Sequence, residues 1–276
     1  IIMTYLEQIG HEMTDKGGLL DKVLAQVPNV QAVYLSGSRL NHLNVAPTDY
    51  DLFIITKPTM KSIMTGQHYV HHATVEAMGQ MADGKIYDTL KFLDVMVKTN
   101  PNTVELFYQA PLFVTSEFEP IAKRLQTTEM HRKMLAFNPT NFVHAVGGQV
   151  KQEGKSFQLG NVPLKRQTKI VVQTSKFERY FSELLTDGVL KSVLEPTEHE
   201  RDLRRQSLSL EKRLDSKESS HVLDQLVSEF RHELLIEFEQ IAQRIDKLVD
   251  QFHDGKFNIV QEKIDYADFK DFLMLP

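Results

Sequence analysis

The spacing of apolar residues changes early in the chain. Over residues 3–27 they recur every three or four positions, which predicts a helix interrupted at Gly17 and Gly18. Two β-rich runs follow at 30–35 and 50–56, and the second is almost continuously apolar. Such a run is typical of a strand that is buried on both faces, so we expect a sheet with a covered core.

Downstream, the pattern becomes mainly helical. A third strand is predicted at 85–89, and it continues into a helix at 90–98 that ends before the stop signal Asn100-Pro101. From about residue 111 onward, helical spacing is clearest at 169–185 and 220–252. The longer of these helices carries one apolar stripe, ended by Gly255, formed by Leu223, Leu226, Val227, Phe230, Leu234, Phe238, Ile241, Ile245, Leu248 and Phe252.

These patterns predict two domains. We expect an α/β (α+β) head with a small mixed β-sheet over residues 1–112 and an all-helical domain over residues 113–276. The charge-dense residues 196–219 form either an exposed helix or a mobile connection. The stripe on the 220–252 helix needs a covering surface, so a protein partner or self-association through the C-terminal helices is expected.

Composition narrows the classes of protein that fit. Of 276 residues, 41% are hydrophobic and 25% charged, which is ordinary globular composition. No window approaches the length of apolar chain that a membrane span needs, so no membrane partner and a cytoplasmic location are expected. The chain has no cysteine, which excludes disulfides, thiolate metal sites and a cysteine nucleophile. A net charge of −5 means that any nucleic acid must be bound by local basic groups.

The most informative segment joins the first two predicted strands. The first predicted strand stops at Ser36-Gly37-Ser38, which Arg39 follows. Ten residues separate Ser38 from Asp49, and Asp49 and Asp51 open the second strand. Side chains alternate along a strand, so the two aspartates point to the same side and can hold two divalent cations. Gly37 permits close approach of backbone N–H groups to phosphates, Ser38 adds a hydroxyl donor, and Arg39 adds a charged one.

This arrangement resembles the signature of the DNA polymerase β-like nucleotidyltransferase superfamily. The motifs Lys91-Phe92-Leu93, Asn100-Pro101 and Glu105-Leu106-Phe107 resemble one branch of it, the predicted nucleotidyltransferases of bacteria and their phages. The resemblance implies transfer of a nucleoside monophosphate from a nucleoside triphosphate to a hydroxyl, with two Mg²⁺ or Mn²⁺ ions and release of pyrophosphate. It also implies an RNA or tRNA end as acceptor, in a bacterial cell or a phage-infected host.

A later helix departs from the pattern of that branch. The branch carries Lys-x-x-x-His-x-x-Arg, whereas this chain has Lys169, Gln173 and Lys176. Gln173 cannot transfer a proton as histidine does. Lys169 and Lys176 lie seven residues apart on one helix face, where they either reach the phosphates of the nucleotide or are solvated surface groups.

The superfamily resemblance also implies a third carboxylate, which binds the catalytic metal and helps to deprotonate the acceptor. Asp88 is favoured over Asp83, and Asp94 is a weaker choice because a helix holds it. Asp88 has an alternative role as the N-cap of the helix at 90–98, where its carboxylate would accept backbone N–H groups.

Three further groups carry weaker signals. His68, His71 and His72 could cluster as a metal site, since the i and i+4 pair His68 and His72 would lie on one helical face, but no nearby acidic or cysteine partner completes a set. Asn100 and Glu105 either shape the nucleotide pocket, as the resemblance implies, or are a helix-breaking turn and a surface carboxylate. The basic residues Lys165, Arg166 and Lys169 either meet a triphosphate or RNA backbone or form a solvated loop.

Other functions compete with transfer to RNA. A degenerate nucleotidyltransferase would bind nucleotide or RNA without turnover, a hypothesis favoured by Gln173 and opposed by the intact Asp49 and Asp51 pair. A protein acceptor, modified on Ser, Thr or Tyr as in toxin and antitoxin systems, is an alternative. A small-molecule acceptor such as an antibiotic is another.

Overall fold

A computed structural model of the chain places the sheet and the helical region in separate compact units. Contacts divide the chain after Asn138, later than the predicted boundary at 112, and residues 113–114 form a strand of the sheet. The structure describes residues 13, 18–40, 49–67, 70–77, 79–98, 100–127, 129–130, 139–158, 162–187, 195–216 and 221–256.

The first unit contains a five-stranded mixed sheet, which confirms the predicted head. The strands are β1 (Val30–Ser36), β2 (Tyr50–Thr56), β3 (Val70–Ala77), β4 (Gln80–Asp88) and β5 (Phe113–Val114). Their order is β3-β4-β2-β1-β5; β2 and β4 are parallel, and the other neighbours are antiparallel. The first two strands match the predicted runs. The third predicted strand is the last part of β4, which begins at Gln80 instead of Lys85.

Short helices connect and cover the strands of this unit. They are α1 (Leu19–Gln26), α2 (Gly37–Leu40), α3 (Met60–Thr65), α4 (Thr89–Val97), α5 (Pro101–Val104), a 3₁₀ turn (Glu105–Tyr108) and α6 (Glu119–Leu125). The helix α4 lies within one residue of its predicted bounds. In the predicted 3–27 helix, α1 and Met13 are helical, and residues 1–12 and 14–17 lie outside the described part of the chain.

Aromatic side chains join α4 to one face of the sheet. The ring of Phe53 on β2 lies 5.0 Å from that of Tyr87 on β4 and 5.9 Å from that of Phe92 on α4, measured between centroids. Burial of such rings is a main contribution to core stability. The core therefore covers the carboxyl-terminal half of β4 on this face and leaves the other end of the strand open.

The second unit consists of helices in the part of the chain that the structure describes. These are α7 (Pro139–Gln158), α8 (Leu164–Asp187), α9 (Glu198–Asp215) and α10 (His221–His253). The charge-dense segment is therefore a helix, and Thr197 and Glu200 form a capping box at its start. This confirms the prediction of a helical C-terminal region.

The apolar stripe of α10 is largely buried inside this unit. Phe238 stacks on Phe157 of α7 with 5.4 Å between ring centroids, whereas Leu226 is 39% exposed although the pattern placed it in the stripe. The stripe is thus covered mostly by neighbouring helices. No described helix combines the length and the apolar character needed to cross a lipid bilayer.

Candidate active site

Gly37 lies directly after β1 and in contact with an aspartate of β2. Its φ is +69°, and a Cβ atom built on it would lie 1.9 Å from Oδ2 of Asp51. A side chain here is therefore excluded twice, by the backbone conformation and by the position of the Asp51 carboxylate. The Gly-Ser turn and the Asp-x-Asp motif meet in space, as their spacing in the sequence predicted.

A row of polar residues crosses four strands beside this contact. Asp51 is in register with Ser36 of β1 on one side and with Asp83 of β4 on the other, and Asp83 is in register with Thr74 of β3. Residues in register on neighbouring strands point to the same face, and such strands lie about 4.8 Å apart. The carboxylates of Asp51 and Asp83 are therefore neighbours on one face of the sheet, which we call the carboxylate face.

The three aspartates at this corner differ in exposure and in their contacts. Asp49 is exposed and lies one residue before β2, two positions from Asp51, which is half-buried. Asp83 is exposed, and its Oδ1 accepts a 2.7 Å hydrogen bond from the hydroxyl of Thr74. Within the described residues, no three histidine or acidic side chains already converge on a point where a metal ion would bind.

Asp88 lies at the other end of β4. It is fully buried and in register with Thr56, and its Oδ1 accepts a 2.7 Å hydrogen bond from the backbone N–H of Lys91. It is five residues from Asp83, and an odd separation in a strand places the two side chains on opposite faces. The structure thus brings Asp83 beside Asp51 and makes Asp88 the N-cap of α4, the alternative role given for it. Which of the two aspartates acts as the third carboxylate stays a prediction.

Arg39 lies against an aromatic ring. Its guanidinium carbon is 3.7 Å from the centroid of Tyr50. Because Tyr50 and Asp51 are consecutive in β2, their side chains point to opposite faces of the sheet, so Arg39 is held on the Tyr50 side. The side chain of Ser38 and residues 41–48 lie outside the described residues.

The basic residues predicted to meet phosphates lie in the second unit. On α8, Lys169 is exposed, whereas Lys176 is buried with its Nζ 5.8 Å from the centroid of the Tyr180 ring. Arg166 forms an ion pair with Glu153, at 2.9 Å between nitrogen and oxygen, which reduces the positive charge of the predicted basic patch. The phosphate role of Lys169 and Lys176 stays a prediction.

The remaining candidates occupy structural positions in the first unit. His71 and His72 are consecutive residues of β3, so the helical metal site is wrong; His68 lies outside the described residues. The carbonyl oxygen of Asn100 accepts backbone hydrogen bonds at the start of α5. Glu105 is only 5% exposed, so the alternative prediction that it is a surface carboxylate is wrong. Asp94 lies within α4, as expected.

Two polar residues on the carboxylate face, Thr74 and Lys85, were not predicted as site residues. Thr74 contacts Asp83, and Lys85 is in register with His72, which was predicted only as part of a helical metal site, one row further along the sheet. Lys85 lies two positions after Asp83 in β4, so the two side chains are on the same face. This spacing could have been recognised in the sequence. The partners on β3 gave no comparable signal because that strand is mostly exposed and has no apolar run.

Tyr34 adds a buried polar atom to the same face. It is in register with Phe53, it is 1% exposed, and its hydroxyl has no hydrogen-bond partner among the described residues. Burial raises the pKa of the Tyr34 phenol well above its ordinary value.

Comparison with known proteins gives little beyond this geometry. No protein-family model and no curated protein matches the chain. The chain is similar to the crystal structure of a nucleotidyltransferase-like protein from Exiguobacterium sibiricum 255-15, at 15% identity and with a TM-score of 0.29. The alignment covers 86% of this chain and 80% of that chain. A TM-score of this size does not establish a shared fold.

Proposed function

We propose that this chain is a metal-dependent nucleotidyltransferase of the DNA polymerase β-like kind. It would transfer a nucleoside monophosphate from a nucleoside triphosphate to a hydroxyl group and release pyrophosphate. The observation that carries the proposal is the parallel register of β2 and β4, which places Asp51 beside Asp83 while Asp51 also contacts Gly37. A phosphate-binding turn and two neighbouring carboxylates are what two-metal phosphoryl chemistry requires.

Asp49, Asp51 and Asp83 are the residues that would hold the metal ions. Their carboxylates would supply hard oxygen ligands, which suit Mg²⁺ and Mn²⁺. The exposed side chains of Asp49 and Asp83 have room to rotate toward Asp51 and complete the set. Bound there, the ions would neutralise the phosphates and activate the attacking hydroxyl.

Gly37 and the residues after it would bind the triphosphate. The positive φ of Gly37 turns the chain sharply at the end of β1, and successive N–H groups in such a turn can form a concave anion site. Ser38 would add its hydroxyl. Arg39 would reach the phosphates only after leaving the ring of Tyr50, so its contribution depends on nucleotide binding.

Asp83 would receive the proton in the chemical step. The hydroxyl oxygen of the acceptor attacks the α-phosphorus, and the bond from that phosphorus to the bridging oxygen of pyrophosphate breaks. The hydroxyl proton passes to the Asp83 carboxylate and then to solvent. The Thr74 hydroxyl donates a hydrogen bond to Oδ1 of this carboxylate.

The direct test is label transfer by the purified full chain. Each of the four α-labelled ribonucleoside triphosphates is incubated with Mg²⁺ or Mn²⁺ and with cellular RNA or protein, beside Asp51→Asn as a variant of nearly equal shape. We expect transfer by the wild type and a loss of about a thousandfold in the variant, since an amide cannot replace a charged metal ligand. Equal transfer by both proteins would refute the proposal.

A second candidate is binding of nucleotide without turnover. It is favoured by the absence of three converging ligand side chains among the described residues. Metal-dependent triphosphate binding by the wild type, with no label transferred to any acceptor, would support it. If transfer occurs, the nature of the acceptor, whether an RNA or tRNA end, a protein hydroxyl or a small molecule, stays a prediction.

A further inference from the structure

If the proposed function holds, the triphosphate and the acceptor bind toward opposite ends of the polar row on the carboxylate face. Gly37, at the end of β1, marks the side of the triphosphate, and Asp83, one strand beyond Asp51, lies on the opposite side. The strand order β1-β2-β4-β3 therefore places the attacking hydroxyl toward β4 and β3. Whatever binds the rest of the acceptor should be sought on those two strands.

Two basic side chains lie on that part of the sheet. Lys85 is two residues after Asp83 on β4, and it is in register with His72 of β3. Two residues of strand span about 7 Å and return to the same face, so Lys85 and His72 lie one row from Asp83 and Thr74 on the carboxylate face. Both side chains are exposed.

These two groups are not used by the described fold. The Nζ of Lys85 lies 5.0 Å from the centroid of the Tyr87 ring, and neither the Lys85 nor the His72 side chain forms an ion pair or hydrogen bond within the described part of the chain. An exposed ammonium held only by such a ring contact can move to an anion at little cost. The imidazole can donate a hydrogen bond through a ring N–H even when it is neutral.

We propose that Lys85 and His72 form a phosphate subsite for the acceptor, which is therefore the 3′ end of a single-stranded polynucleotide. In such a strand the terminal 3′-hydroxyl and the phosphate on the 5′ side of the same nucleoside are separated by one sugar. That length is comparable to one row of the sheet. A protein side chain carries a hydroxyl but no phosphate at this distance, so the subsite selects nucleic acid over protein.

The test measures acceptor binding separately from nucleotide binding. The full chain is titrated against a 5′-fluorescent 12-nucleotide RNA with a 3′-hydroxyl, in Ca²⁺ and without nucleotide. Lys85→Gln combined with His72→Gln should weaken binding about tenfold and lower the slope of log affinity against log salt by about one. Lys61→Gln removes an exposed lysine of α3 and should leave binding unchanged. Binding of a labelled triphosphate with Mn²⁺ should be equal in all three proteins.

The outcomes separate this proposal from the function it rests on. RNA affinity that is unchanged in the double variant overturns the subsite, and so does a wild-type chain that binds no RNA but labels a protein. If RNA binding depends on Lys85 and His72 while the wild type binds no triphosphate, the subsite stands and the nucleotidyltransferase proposal fails. Circular dichroism of the variants checks that the exposed substitutions leave the fold intact.

Discussion

β4 carries one aspartate near its middle and one at its end, and their surroundings are opposite. Asp83 is exposed, faces the same side as Asp51, and accepts a hydrogen bond from the Thr74 side chain. Asp88 is fully buried and accepts the backbone N–H of Lys91 at the start of α4. The same residue type thus occupies two kinds of site within five positions of one strand.

The difference shows that register and burial decide what a carboxylate can do. A buried carboxylate whose oxygen satisfies a helix terminus contributes to folding, because an unpaired N–H there would carry a desolvation cost. An exposed carboxylate beside a second one gains little stability and instead offers oxygen ligands of the kind that divalent cations prefer. Asp83 is therefore suited to binding and Asp88 to structure.

The largest effect should follow from removing the exposed aspartate. Asp83→Asn should lower label transfer about a thousandfold, roughly 4 kcal/mol of transition-state free energy, because a metal ligand and proton acceptor is lost. The free energy of unfolding in urea should change by less than about 0.5 kcal/mol, since the side chain is exposed. If Asp83→Asn keeps its activity, Asp83 is not the third carboxylate.

Gly37→Ala should produce the next largest effect. The added methyl group would have to displace the Asp51 carboxylate from its position against Gly37, at a φ of +69° that also disfavours alanine. We expect about 2–3 kcal/mol of lost stability and weaker triphosphate binding, measured by urea unfolding and by nucleotide titration.

Gly66→Ala is a matched control for this variant. Gly66 also has a positive φ, +64°, but a Cβ there meets no atom within 4 Å. It should cost only the backbone strain, about 1 kcal/mol, and leave triphosphate binding unchanged. If the two variants show equal stability and equal triphosphate binding, the contact between Gly37 and Asp51 contributes to neither.

The sequence predicted the local features of this site well. The continuous apolar run of β2 gave its bounds, Tyr50–Thr56, because a strand buried on both faces leaves an unbroken pattern. The Gly-Ser turn before Arg39 could be predicted because only glycine suits such a turn. These features depend on residues that are close together in the chain.

The choice between Asp83 and Asp88 could not be made from the same pattern. It depends on the parallel register of β2 and β4, which are separated in the chain by α3 and β3. A shift of one residue in that register would move every side chain of β4 to the other face. β3 itself was missed because it is mostly exposed, so apolar alternation does not mark it.

A variant of the buried aspartate sharpens the comparison. Asp88→Ala should lose about 1–2 kcal/mol of unfolding free energy because the N-cap of α4 is removed. Asp88→Asn should retain both stability and label transfer, since an asparagine side chain also caps a helix. The same change at Asp83 should remove activity, so the two Asp→Asn variants discriminate between the two roles directly. Loss of transfer in folded Asp88→Asn would contradict the structural role of this residue.

The smallest effect concerns the buried hydroxyl of Tyr34 on the carboxylate face. Tyr34→Phe removes a hydroxyl that makes no described hydrogen bond, so stability should stay level or rise by about 1 kcal/mol. Burial raises the pKa of the folded Tyr34 above that of the unfolded chain, so the unfolded state loses its proton first and stability falls as the pH rises beyond about 10. The variant should lose less stability than the wild type between pH 9 and pH 11, measured by urea unfolding at each pH. A steeper loss in Tyr34→Phe would mean that the fold stabilises the ionised phenolate and lowers its pKa, which contradicts the effect of burial.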